Sequence, residues 1–182
     1  MATKGYTLIE ILVAVSIFFV VIAAPSGFFV SALKGQQKAL ASQELLDNVS
    51  YTLEYMSRSL RMAKKDDVNG VNCLTVYKLN YVATAQGIKF RNYQDKCQEF
   101  YLEDGRIKED KTGYVQPLFL TSNDIEISKF EIFIEGETQE DIIQPRVTLL
   151  LEAIGNRPAI ESLQPVIRIQ TTISQRNLDV QY

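Results

Sequence analysis

The chain has 182 residues, 46% of them hydrophobic and 23% charged, with a formal net charge of −3. That is enough for one domain with a sizeable core, and too apolar for disorder. Histidine is absent, which excludes imidazole-based catalysis, zinc sites with a His ligand and an imidazole switch near neutrality; a pI near 5.1 argues against nucleic acid as a partner.

The first element is an uncharged run. From Ile11 to Leu33 there are 23 residues without a charge, 18 of them apolar. As a helix this run spans about 35 Å, enough to cross a hydrocarbon core of ~30 Å. A cleaved secretory signal would end at the small residues Ala23-Ala24. Pro25 would then stand just after the cut, where it obstructs cleavage, and the apolar run continues through Phe28-Phe29-Val30. A membrane helix is the better reading. Pro25 and Gly27 are tolerated in such a helix; they predict either a mild kink or a weak point where the helix bends among neighbours. Glu10 abuts the run, and an ionisable group at a bilayer edge is a functional candidate. Its alternative is a helix-end charge that snorkels to water, favoured by the positive helix N-terminus.

After Leu33 the helix is predicted to continue to about Lys65. Leu46, Val49, Leu53, Met56, Leu60 and Ala63 recur at spacings of three and four, between Asp47, Ser50, Glu54, Ser57 and Arg61. That is one apolar stripe on a polar helix. Basic Arg61, Lys64 and Lys65 suit its carboxyl end, and Asp66-Asp67 with Asn69-Gly70 mark the exit.

The remainder reads as strands. Cys73–Leu79 and Gly87–Arg91 alternate or nearly so, and Phe100–Leu102 and Arg106–Lys108 flank Asp104-Gly105, a hairpin signal. Ile125 and Ile127 alternate, then Phe130, Ile132 and Ile134 do so in the opposite phase, so a β-bulge is expected near Ser128-Lys129. Val147–Leu151 and Val166–Ile173 are the strongest strands, with Pro145 and Pro165 at their starts. Seven or eight strands after one long helix give an α+β domain in which the stripe covers a sheet face, with a second sheet expected. Cys73 and Cys97 allow one bridge or two free thiols. The acidic groups Glu137, Glu140 and Asp141, and Glu103 and Asp104, lack the ligand spacing of a calcium loop and read as solvated turns. No metal or cofactor site is expected, and no carboxylate pair can be picked as catalytic, so an enzyme is not expected.

Residues Lys4-Gly5-Tyr6-Thr7-Leu8-Ile9-Glu10, followed by the uncharged helix, resemble the class III signal of type IV pilins and type II secretion pseudopilins. The resemblance implies a leader of residues 1–5, cut by prepilin peptidase between Gly5 and Tyr6, and N-methylation of Tyr6. Tyr6 stands where the family usually has Phe. Glu10 becomes the fifth mature residue, where the family places its acidic assembly residue. It also implies a pilin-like fold: residues 6–33 as the transmembrane and assembly helix, 34–65 as the amphipathic helix of the globular domain, and 66–182 as its β-rich extracytoplasmic part. The implied function is a structural subunit of a pilus or secretion filament. The implied partners are other subunits, the peptidase, inner-membrane assembly machinery and membrane lipid. Strand count and length are similar to those of J-type minor pseudopilins and W-type minor pilins. An extracytoplasmic compartment permits a Cys73–Cys97 disulfide. The competing class is a single-pass membrane protein with an extracytoplasmic binding domain that enters no filament.

The motif also has a direct physical reading. Cleavage at Gly5 creates a positive amine at the end of an apolar helix, and a carboxylate one turn on can neutralise the amine of a neighbouring subunit. Unpaired charges in hydrocarbon cost several kcal/mol, so pairing supplies both a driving force and a register.

Overall fold

A computed structural model describes residues 5–66, 73–74, 79–136, 143–157 and 164–176, with the side chain of Ala24 excepted. It contains one helix, α1 (Leu8–Arg61), and eight strands among the described residues: β1 (Tyr81–Ala83), β2 (Gly87–Arg91), β3 (Cys97–Glu103), β4 (Arg106–Lys111), β5 (Leu118–Phe119), β6 (Ile125–Glu135), β7 (Arg146–Gly155) and β8 (Val166–Ser174). The strands form two antiparallel sheets, β1-β2-β3-β4-β5 and β6-β7-β8. The architecture is α+β and pilin-like: one long helix packed on two sheets.

At 54 residues, α1 is about 80 Å long. Its carboxyl half carries the buried stripe Ala41, Leu45, Val49, Thr52, Leu53, Met56 and Leu60. Leu46, expected in the stripe, is 46% exposed, and Leu45 takes its place at 1%. Both satisfy a three-or-four spacing, so spacing alone does not choose between them. Leu45 lies within about 40° of Val49, Thr52 and Met56 around the axis, whereas Leu46 is turned about 100° from Leu45, on the flank of Leu53 and Leu60; that flank is buried from Leu53 onward but still exposed at the level of Leu46.

The helix also stops at Arg61 rather than near Lys65, because its last carbonyls are captured from outside. The Tyr81 hydroxyl donates to the Leu60 carbonyl at 2.7 Å, the Arg176 N–H to Arg61 at 2.8 Å and the Gln175 amide to Ala63 at 2.8 Å. The Lys64 N–H donates to the Arg91 carbonyl at 2.8 Å. The bonds to Leu60 and Arg61 satisfy carbonyls that a helix end leaves open, and the other two fix the chain just beyond it. They also tie both sheets to the same point on the helix.

The core lies between the stripe and the sheets, with Ile88, Phe90, Phe100 and Ile107 from one sheet and Val147, Leu149, Leu151 and Ala153 from the other. Period-two alternation produces this directly: β7 buries every second residue from Val147 to Gly155. The β3–β4 hairpin turns at Asp104 and Gly105, with φ of 53° and 69°, the left-handed pair that a two-residue turn requires. The β6–β7 register shifts between Ile127 and Lys129, and this bulge returns Phe130, Ile132 and Ile134 to the core side after Ile125 and Ile127. Gly87 permits the close approach of β2 and β3. A Cβ there would overlap the Phe100 carbonyl oxygen and stand 2.6 Å from the Tyr101 Cα. The strand read from the sequence over Cys73–Leu79 lies largely outside the described residues; Cys73 and Leu74 themselves are not in a strand.

Candidate functional site: the amino-terminal helix

The amino-terminal half of α1 touches no other part of the described chain closely enough to be covered. All described side chains from Gly5 to Leu40 are exposed, among them Tyr6 at 80%, Leu8 at 82% and Phe28 at 79%. A contiguous apolar surface of this extent marks an interaction site with lipid or protein. The stretch is long and apolar enough to cross a membrane. Its few polar groups are satisfied within the helix, as a hydrocarbon environment demands. The hydroxyls of Ser16, Ser26 and Ser31 donate to the carbonyls of Leu12, Ile22 and Gly27 at 2.8, 2.9 and 3.0 Å. Pro25 lies inside the helix, which continues through it.

The helix start is built by Thr7. Its backbone is extended, its side chain accepts from the Glu10 N–H at 3.4 Å and its carbonyl accepts from the same N–H at 3.1 Å. Thr7 is therefore an N-cap, which leaves Gly5 and Tyr6 as non-helical residues just ahead of it. A side chain at Gly5 would meet nothing within 4 Å, so nothing in the fold itself requires glycine there. Glu10 falls in the first turn, where the helix dipole favours an anion. Tyr6, Glu10, Ala14 and Phe18 follow one another at intervals of four and line one shallow groove along the helix. Among the described residues Glu10 makes no ion pair.

Cys73 and Cys97 form a disulfide with Cα atoms 5.2 Å apart, joining the segment after the helix to β3. Cys73 is buried, and nearby Asp66 accepts from the Leu74 N–H at 2.8 Å. Asp66, read from the sequence as marking the helix exit, is 4% exposed and faces the buried Arg91 guanidinium at 3.9 Å. Of the acidic groups considered as turns, Glu137, Glu140 and Asp141 lie outside the described residues. Glu103 and Asp104 are exposed, and Glu103 pairs with Lys108. Among the described residues no group of three or more His, Cys, Asp or Glu side chains is arranged to hold a metal.

One polar cluster escaped the sequence reading. The Glu109 carboxylate on β4 is 2% exposed and accepts from Tyr55 Oη at 2.8 Å, Gln98 Nε2 at 2.5 Å and Tyr114 Oη at 3.2 Å. Burial, and then the hydrogen bond and charge of Glu109, push the Tyr55 phenol above its usual range. The only hint in the sequence is that Glu109 shares its strand face with Ile107. Three neutral donors around one carboxylate link helix, sheet and loop; this is a structural knot.

Fold and amino-terminal segment together define a class: a pilin-like α+β protein whose bare apolar helix begins just after a short basic peptide. Residues 1–24 match the family model described as the prokaryotic N-terminal methylation motif. That match supports a place among the type IV pilins and pseudopilins, proteins processed by prepilin peptidase and anchored in a membrane by this helix. No curated protein and no solved structure matches the chain.

Proposed function

We propose that the protein is a minor pilin or pseudopilin, a structural subunit of a type IV pilus or type II secretion filament, and not an enzyme. Prepilin peptidase removes residues 1–5, and the new amine at Tyr6 is methylated. The helix then holds the subunit in the cytoplasmic membrane in a single pass, with the β-rich domain outside the cytoplasm, until assembly. In the filament the helix is covered by those of neighbouring subunits, and Glu10 neutralises the Tyr6 amine of one neighbour. The eight described strands and the chain length favour one of the larger minor types, J-like or W-like, which act at a filament tip.

The observation that carries this reading is the junction of the methylation motif with a helix whose described side chains are all exposed through Leu40 and whose continuation is buried under its own sheets. The test is Glu10→Ala. Processing reads Gly5, and the folded domain never meets residue 10, so the variant is inserted, cleaved and folded. It loses most of its co-purification with partner subunits, because an unpaired amine would then enter an apolar bundle. Wild-type assembly of Glu10→Ala would refute the pairing, since a snorkelling charge at that position is cheaper to bury once neutral.

A further inference from the structure

Between the uncharged run and the globular core lies a bare helical neck, residues 34–40, in which every residue is exposed. It carries Lys34 and Lys38, one turn apart. Their positions are unusual for charges. Around the axis they fall within about 60° of Ala41 and Leu45, the first two buried residues of the stripe. The face that binds the sheets higher up thus presents two cations at the level where the sheets no longer reach. Neither lysine makes an ion pair among the described residues, and the next acidic residue along the chain is Glu44.

Dimensions fix what meets these charges. From Tyr6 to Lys34 the rise is about 42 Å, the thickness of a bilayer including its headgroups, and the neck itself spans about 10 Å. With Tyr6 at one interface, Lys34 and Lys38 stand at the phosphate level of the other. Resting on the membrane-spanning reading of α1, we propose that Lys34 and Lys38 bind the headgroups of anionic phospholipids in the gap between the bilayer and the overhanging sheets. The pair sets how deep the helix sits and holds the domain against the membrane surface. The partner is the lipid phosphate in its bilayer, since continuity with the apolar run places the lysines there and no described carboxylate pairs with them.

The test uses the full chain reconstituted in vesicles of phosphatidylcholine and phosphatidylglycerol in equal parts. Spin-labelled phosphatidylglycerol and phosphatidylcholine report which lipid is held beside the protein. The wild type is expected to prefer the anionic lipid by about fivefold per lysine at low salt, less as salt rises. Lys34→Gln with Lys38→Gln abolishes the preference, Lys34→Arg with Lys38→Arg keeps it, and Lys129→Gln, on β6, leaves it unchanged. Inorganic phosphate displaces the lipid no better than chloride at equal ionic strength. A preference that survives the double glutamine variant, or one that phosphate specifically competes away, overturns the proposal. Resistance to carbonate extraction is scored in parallel. Protein that washes off refutes the membrane-spanning reading itself, whereas inserted protein without lipid preference refutes the lysine site alone.

Discussion

The choice between Leu45 and Leu46 is a test of how α1 meets the sheets. Leu45 is 1% exposed within the core, and Leu46 is 46% exposed. Truncating a fully buried leucine to alanine removes its transfer energy and leaves a cavity, at a cost of about 2–5 kcal/mol. Leu46 forfeits only part of its burial, and alanine is the better helix former, so its cost stays below about 1 kcal/mol. The assay is thermal unfolding of the chain begun at Lys34, which is expected to be soluble and folded because its stripe is covered by its own sheets. For a domain of this size 1 kcal/mol moves Tm by roughly 2–4 °C. Leu45→Ala should therefore lose about 4–20 °C, and Leu46→Ala less than about 4 °C. Equal losses, or the reverse order, would mean that the helix is rotated from the arrangement described. An aggregated product would mean that the stripe faces a partner instead.

Burial lifts the Tyr81 phenol well above its ordinary value near 10. The folded chain therefore prefers it neutral while the unfolded chain ionises first. This stability is intact below about pH 10 and then declines by ~1.4 kcal/mol per pH unit until the folded phenol also ionises. Urea midpoints measured between about pH 8 and 11 should show the decline, and Tyr81→Phe should make it shallower, Tyr55 still contributing its share, while losing ~1 kcal/mol for the bond to Leu60. Glu109→Ala strands the Tyr55 hydroxyl and the Gln98 amide, so denaturant titration should show a loss of about 3 kcal/mol; a neutral result would remove the knot from the account. Non-reducing peptide mapping should recover Cys73 joined to Cys97, and the Cys97→Ser chain should unfold ~3 kcal/mol earlier, by the loop-closure entropy of that bridge.

What the sequence made legible follows from periodicity and turn chemistry. Asp104-Gly105 announces its hairpin because few other residues accept two left-handed conformations in succession. The slip from Ile127 to Phe130 announces the bulge because a one-residue insertion inverts the face of everything after it. The long strands β7 and β8 carry enough alternation to be seen, and the second sheet follows from their number. The short strands β1 and β5 escaped notice, since two or three residues hold no period. The helix end and the choice of Leu45 were not legible because both depend on tertiary partners: Tyr81, Gln175 and Arg176 arrive from 20 to over 100 residues away. Glu109 was missed for the same reason, since a carboxylate in a strand looks solvent-facing until its three donors are in place. At the amino terminus the motif around Gly5, Tyr6 and Glu10 is recognisable in the chain alone, because it is a contiguous run of residues that needs no tertiary partner to be seen.

The central claim is that this helix is made by processing and then used for assembly, and its most direct test is the mass of the mature amino terminus. Protein extracted from membranes of cells that contain the prepilin peptidase should begin at Tyr6 and carry one methyl group on its amine. Gly5→Leu should accumulate as uncut precursor. Recovery of Met1 or Ala2 as the terminus of the wild-type protein in those cells would contradict the account and leave a membrane-anchored domain that enters no filament.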